Sequence, residues 1–352
     1  MPNPVPVRRI LLATILVVLL LMGTVEIYST LVFAEGYRHP QVMAFVDYLV
    51  RMFLALVVFV ITLRVPLPAW AESRKPLALF TLLLLVGVLW FGTEIKGAQR
   101  WIFGIQPAEV GKVYLIVYLA WYLSDRRPHL HPGFAPWIPP LLWSGALTLL
   151  IILQPNFSTA GLYLLLTAAF LWVGGMPLRA FLAVGGATVA FVGLAYRFSP
   201  HVHARMDLFL HGDLHEQVRW ALATLKHGGL LGVGPGRGVL KHNVPQAQND
   251  FMFASVGEDL GLVGAALVIV LFLLLWALGY RLLQEERWRF EWYLVYGAVV
   301  LLISQAFLHI AVNLGVFPIT GQVLPFLSQG GSNLLVSAWA AGILWNASRL
   351  PW

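Results

Sequence analysis

Apolar residues in this chain come in long unbroken runs. They fall at about 10–32, 43–64, 77–93, 110–124, 138–153, 159–175, 180–196, 251–279, 292–316 and 333–348. Runs of this length predict about ten transmembrane helices, an all-α integral membrane protein built as one polytopic domain over residues 1–352. Several runs are shorter than a full span, so their helices are expected to extend into the flanking loops. Between the seventh and eighth runs lies a long loop, residues 197–250, and loops longer than about fifteen residues are usually functional. Within it Leu214, Val218, Leu222 and Leu225 recur at helical spacing. That face suits a short helix lying on the membrane surface or packed on the bundle.

Composition excludes a soluble domain: the chain is 59% hydrophobic and 11% charged, against about a quarter charged in soluble proteins. The first run follows Arg8-Arg9 but is too long for a signal peptide and lacks a small-residue cleavage site, so it is expected to stay as a helix. With no cysteine, disulfides, thiolate catalysis and thiolate-held metal are excluded.

Charge sets the orientation. An N-terminus inside places Arg8, Arg9, Arg64, Arg74, Lys75, Arg126, Arg127, Arg179, Arg281, Arg287, Arg289 and Arg349 on the cytoplasmic side, as short loops require. Apart from Arg38 and Arg51, the remaining cations cluster in segment 94–112 and in the long loop, which is therefore expected to be extracytoplasmic. Topology gives no reason for them there, and a ligand does. A basic outer surface over membrane lipid favours anionic head groups or phosphate rather than nucleic acid.

Under this topology four polar segments share the outer side: Lys96–Lys112, Gln154–Thr159, Gly228–Asp250 and Thr320–Asn333. Their gathering on one face predicts a common cavity. The glycine-rich stretch Gly228–Gly238 lacks the Lys-Ser/Thr ending of a nucleotide P-loop, so no nucleotide cofactor is expected, and its main message is mobility. Asp250, at the start of the eighth run, reads either as a cap for backbone N–H groups or as a reactive carboxylate. Glu258 and Asp259, two turns deeper, read as a paired structural set. Asp47 and Arg51 read as an i, i+4 ion pair. Lys96, Arg100 and Lys112 surround Trp101. Arg100 could fork onto a diphosphate, while Trp101 could be an interfacial anchor and Glu109–Lys112 a local pair.

Taken together, KGAQRWI with IQPAEVGK, QPNFSTA, GGLLGVGPGRG with Asn249-Asp250-Phe251, GEDLG, and NLGVFPITGQVLPFLSQGGSN resemble the SEDS family of shape, elongation, division and sporulation proteins. The order and spacing agree over nearly the whole chain. KGAQRWI is more similar to the elongation members (RodA) than to the division members (FtsW). Two positions depart from the family pattern: Asn156-Phe157-Ser158 stands where Asp-Leu-Gly is usual, and Gln329 where Tyr is common.

The resemblance implies a peptidoglycan glycosyltransferase of the bacterial cytoplasmic (inner) membrane that polymerises lipid II at the outer face, with a class B penicillin-binding protein as transpeptidase partner. Asp250 matches the family's essential loop aspartate. A general-base role for it fits a donor sugar that carries its own diphosphate leaving group. The expected diphosphate-binding cations are Arg100, Lys112, Arg205, Arg237 and Lys241. A supporting cavity would involve Lys96, Trp101, Glu109, Gln154, Glu258, Asn313, Thr320 and Ser328. A divalent cation, Mg²⁺ or Mn²⁺, could assist, with Asp250 as a metal ligand the competing role. The rival functions are a flippase for the lipid-linked precursor and a non-catalytic scaffold for a transpeptidase.

Overall fold

The computed structural model describes residues 4–31, 39–95, 98–126, 133–198, 203, 207, 211, 214–284 and 289–349. Ten long helices account for the ten apolar runs: α1 (Pro4–Leu31), α2 (His39–Arg64), α4 (Arg74–Phe91), α5 (Pro107–Arg126), α6 (Ile138–Ile152), α7 (Phe157–Val173), α8 (Leu178–Phe198), α11 (Met252–Leu282), α12 (Phe290–Asn313) and α13 (Gly331–Ala347). Among the described residues there are also three shorter α-helices: α3 (Ala69–Glu72), α9 (Glu216–Gly228) and α10 (Ala247–Asp250). Six of the long helices are each long and apolar enough to cross a membrane alone. The other four are shorter or more polar, and α5 and α13 bury most of their length against neighbours. A helix that carries Glu109 and Lys112 can sit at membrane depth only inside such a bundle.

One departure from the all-α expectation is a small antiparallel hairpin, β1 (Thr93–Ile95) with β2 (Ala98–Trp101), at the end of α4. It lies beside the α6–α7 turn, because Arg100 of β2 donates to the carbonyls of Gln154, at 3.2 Å, and Pro155.

The loop helix α9 puts Val218, with Leu214, Leu222 and Leu225, into a second apolar cluster with Val244, Ala247, Phe251, Ala254 and Val312. The apolar face thus packs on the bundle, and the membrane-surface alternative is set aside. Apolar side chains of α11 and α12 offered it a dry partner at once.

Helix α11 has 31 residues, about 46 Å at 1.5 Å per residue, which exceeds a hydrocarbon core of about 30 Å. It breaks at Gly261 (φ 67°, ψ −166°). The stretch after the break is by itself about long enough to span, so Glu258 and Asp259 belong to the part that overshoots.

Candidate functional site

The glycine-rich stretch is not a mobile cradle. It fills the break in α11. At that break the carbonyls of Glu258 and Asp259 accept from Val233 N–H and Gly234 N–H, both at 3.0 Å. Leu262 N–H and Val263 N–H donate back to the carbonyls of Gly229, at 2.9 Å, and Leu230, at 3.2 Å. Four groups that a straight helix would pair internally are thereby satisfied across the two segments, as a broken helix near lipid requires. Close approach explains the glycines: a Cβ on Gly232 would overlap the Asp259 carbonyl, and one on Gly261 the Gly232 nitrogen. With those N–H groups committed, the expectation of mobility is corrected.

Asp250 is the last residue of the one-turn helix α10, its N–H bonded to Gln246 O at 3.0 Å. Capping of α11 falls to other residues. Its N-cap is Phe251, with no side-chain cap bond. Ala254 N–H donates to Asn313 Oδ1 at 3.0 Å, and Phe253 N–H to His309 Nε2 at 3.3 Å. His309 can accept there because its Nδ1 lies 2.8 Å from the Gln322 carbonyl, which can only accept, so Nδ1 carries the proton. Asn313 Nδ2 also donates to the Asp250 carbonyl at 3.1 Å. The capping reading of Asp250 is therefore not the arrangement found.

Its partly buried carboxylate faces the segment between α12 and α13. A Cβ placed on Gly321 would lie 3.8 Å from Asp250 Oδ1, ordinary contact distance. That segment joins the polar regions. Ser328 Oγ donates to Asn249 O at 2.8 Å and accepts from Leu324 N–H at 2.9 Å. Gln329 N–H donates to Gln248 O at 3.0 Å, Gly321 N–H to Ser158 Oγ at 3.4 Å, and Gln106 N–H to Ser332 Oγ at 2.8 Å. Asp250, Asn313, Thr320, Ser328 and the QPNFSTA region thus share one end of the bundle. The Asp47–Arg51 pair forms at 2.7 Å, and Arg51 lies against Gly331.

Other expected site residues prove structural. Lys112 is fully buried, its Nζ 2.7 Å from Glu109 Oε1, while Asn333 Nδ2 donates to Glu109 Oε2 at 3.0 Å. Lys241 is fully buried against Asp259 at 2.5 Å. A diphosphate could reach neither without breaking a buried ion pair, so their assignment as phosphate ligands is withdrawn. Glu258, also buried, collects N–H groups from Val239, Leu240 and Lys241. Gln154 ties the α6–α7 turn to α4 through Leu85 O at 3.1 Å. Trp101 is partly buried on β2, and Arg237 is exposed. Lys96 and Arg205 lie outside the described residues.

His309, Glu26 and Ser29 were missed in the sequence. An ionisable residue inside an apolar run was the available signal for the first two. Among the described residues no group of three or more His, Asp or Glu has a metal-holding arrangement.

The family model described as cell cycle protein, covering FtsW, RodA and SpoVE, matches residues 9–350. The chain belongs to this FtsW/RodA/SpoVE (SEDS) family. It is 32% identical over 350 residues to a probable peptidoglycan glycosyltransferase FtsW of Borreliella burgdorferi, covering 95% of each chain. It is 35% identical over 298 residues to the protein of the same name from Halorhodospira halophila, covering 80% of this chain and 75% of that one. A chain in a solved peptidoglycan synthase complex that coordinates polymerization and crosslinking superposes with a TM-score of 0.78 at 25% identity, 96% of each chain being covered. The rod shape determining protein RodA of Thermus thermophilus shares the fold, with a TM-score of 0.71 at 23% identity over 96% of this chain and 95% of that one.

Proposed function

We propose that this SEDS protein polymerises lipid II into glycan strands at the outer face of the cytoplasmic membrane. The observation that carries the reading is Asp250: a carboxylate where three polar segments converge, on a helix start whose capping is supplied by Asn313 and His309. Family membership and relatives named peptidoglycan glycosyltransferase support the reaction class. In this mechanism Asp250 takes the proton of the acceptor sugar hydroxyl. The oxygen attacks the anomeric carbon of the donor, the bond to the polyprenyl diphosphate breaks, and the new linkage is inverted. General-base assistance is worth roughly 10²–10⁴-fold.

Arg100, which also braces the α6–α7 turn through Nε and Nη2, joins Arg237 and the other exposed loop cations as diphosphate partners. A divalent cation, when bound, would use Asp250 as a carboxylate ligand alongside substrate phosphate oxygens, a donor set that suits Mg²⁺, and would neutralise leaving-group charge. The outer-face assignment rests on the Lys/Arg distribution. The partner is a class B penicillin-binding protein packed on α11 and α12; of the small residues expected to permit close helix approach, Ala266 is exposed, whereas Gly264 and Ala265 are buried within the bundle. The elongation subtype rests on KGAQRWI, against relatives that carry the division name.

The test is purified protein in detergent with lipid II and a class B partner. Glycan strands are expected. Without strand formation, movement of lipid II between leaflets after the protein is reconstituted in vesicles would give the flippase reading, and neither activity the scaffold.

A further inference from the structure

In sequence, Asp250 is midway between two residues that hold each other. Lys241 Nζ lies 2.5 Å from Asp259 Oδ2 and 2.6 Å from Ser29 Oγ, and Ser29 Oγ donates to the same Asp259 oxygen at 2.5 Å. The Lys241 N–H donates to Glu258 Oε2 at 3.0 Å, while Val239 N–H and Leu240 N–H reach Glu258 Oε1 at 3.1 and 2.9 Å. His227 lies 2.7 Å from that oxygen, and Gly236 N–H donates to Ser29 Oγ at 2.6 Å. The segment from Lys241 to Asp259 is therefore an excursion closed at its base, with Asp250 at its apex. Ser29 fixes that base to α1.

We infer that Lys241, with Asp259 and Ser29, is a positioning device that sets where the Asp250 carboxylate stands. This inference rests on the proposed polymerase reading. The physical argument concerns charge and reach. Asp259 and Glu258 are fully buried, and Glu26 of α1, also buried, faces Asp259. Lys241 is the buried ammonium among three carboxyls. His242 adds no charge at neutral pH, being pushed below its ordinary value by partial burial and then by Lys241. Without the ammonium the contacts from Lys241 to Asp259 and Ser29 that close the base are lost, and the base opens. An apex carboxylate displaced by about 1 Å forfeits up to about 10²-fold in rate.

The cysteine-free chain allows one nitroxide to be placed at Gln246→Cys, beside the apex. It is read in the wild-type background, in Lys241→Arg and in Lys241→Met/Asp259→Asn, which removes both charges together. In the double variant the label should become mobile and kcat should fall about 10-fold or more, with KM for lipid II and the melting temperature held. Lys241→Arg should keep the label immobile and retain most of kcat. A folded double variant with an immobile label, or with wild-type kcat, overturns the inference. Ser29→Ala leaves both charges in place and decides the matter where the double variant misfolds: mobility must rise and kcat fall, and wild-type values for both overturn it. Absence of polymerisation in the wild type with its partner would sink the polymerase reading instead, and label mobility then decides whether the base sets the apex.

Discussion

Asn313 holds both sides of the junction at Asp250, its amide donating to the Asp250 carbonyl at 3.1 Å while its oxygen accepts from Ala254 N–H at 3.0 Å. One α12 side chain thus fixes the end of α10 against the start of α11. Asn313→Ala leaves a part-buried carbonyl and a buried N–H without their partner, which costs about 1–3 kcal/mol. Thermal unfolding in detergent should show this loss, and polymerisation should fall further than stability explains. An Asn313→Ala protein with unchanged melting and rate would remove the junction from the mechanism.

The stitched break in α11 makes a contrasting pair of glycine substitutions. Gly261 combines φ +67° with overlap against Gly232 and Leu230, so Gly261→Ala should cost most of the folded protein. Gly234 has φ +97° but its nearest obstruction is the Arg237 side chain at 3.5 Å, so Gly234→Ala should cost about 1 kcal/mol. Yield and melting temperature measure both. Equal losses would mean that backbone conformation, and not the close approach of the two segments, sets the requirement.

Hydropathy alone made the ten helices legible, because lipid allows few structures other than continuous helices and each leaves an apolar run. Their alternation brought the four polar segments to one end, and Asp250 stood out as an acid at a boundary. The Glu109–Lys112 pair was legible from its spacing, but the burial of Lys112 and Lys241 was not: a lysine reads the same whether it meets solvent or a buried carboxylate, and Lys241 meets Asp259 only because the chain between them turns back. The glycine run was ambiguous for a similar reason. Glycine permits both motion and contact, and the deciding fact was a second glycine, Gly261, inside an apolar helix. The apolar stripe of α9 marked a packed helix but left its partner open. Only the clustering with Val244, Phe251 and Val312 decides that.

Orientation is tested with the same absence of cysteine. The loop carrying Gln246 is assigned outward and the α11–α12 connection carrying Gln284 inward, from the Lys/Arg balance. In intact cells an impermeant thiol reagent should label Gln246→Cys, and Gln284→Cys only after permeabilisation. The reverse pattern would move the site to the cytoplasmic face and end the lipid II reading.

Asp250→Asn separates the roles that a carboxylate can play here. The substitution keeps shape and hydrogen-bonding capacity but removes the charge, and capping of α11 by Asn313 and His309 should be untouched. Melting and lipid II binding should stay near wild type while polymerisation drops by at least about 10². Base and metal ligand then divide on two measurements. A base loses activity in acid even at saturating divalent ion, because the proton occupies the oxygen that must receive the substrate's proton. A ligand competes with protons for the cation, so excess Mg²⁺ or Mn²⁺ should restore the acid rate, and a chelator should abolish the neutral one. Asp250→Glu adds a check: a cation can be followed by a longer arm, whereas a base held near one hydroxyl is carried past it. A wild-type rate from Asp250→Asn would remove this carboxylate from the chemistry and leave the polymerase reading without its base.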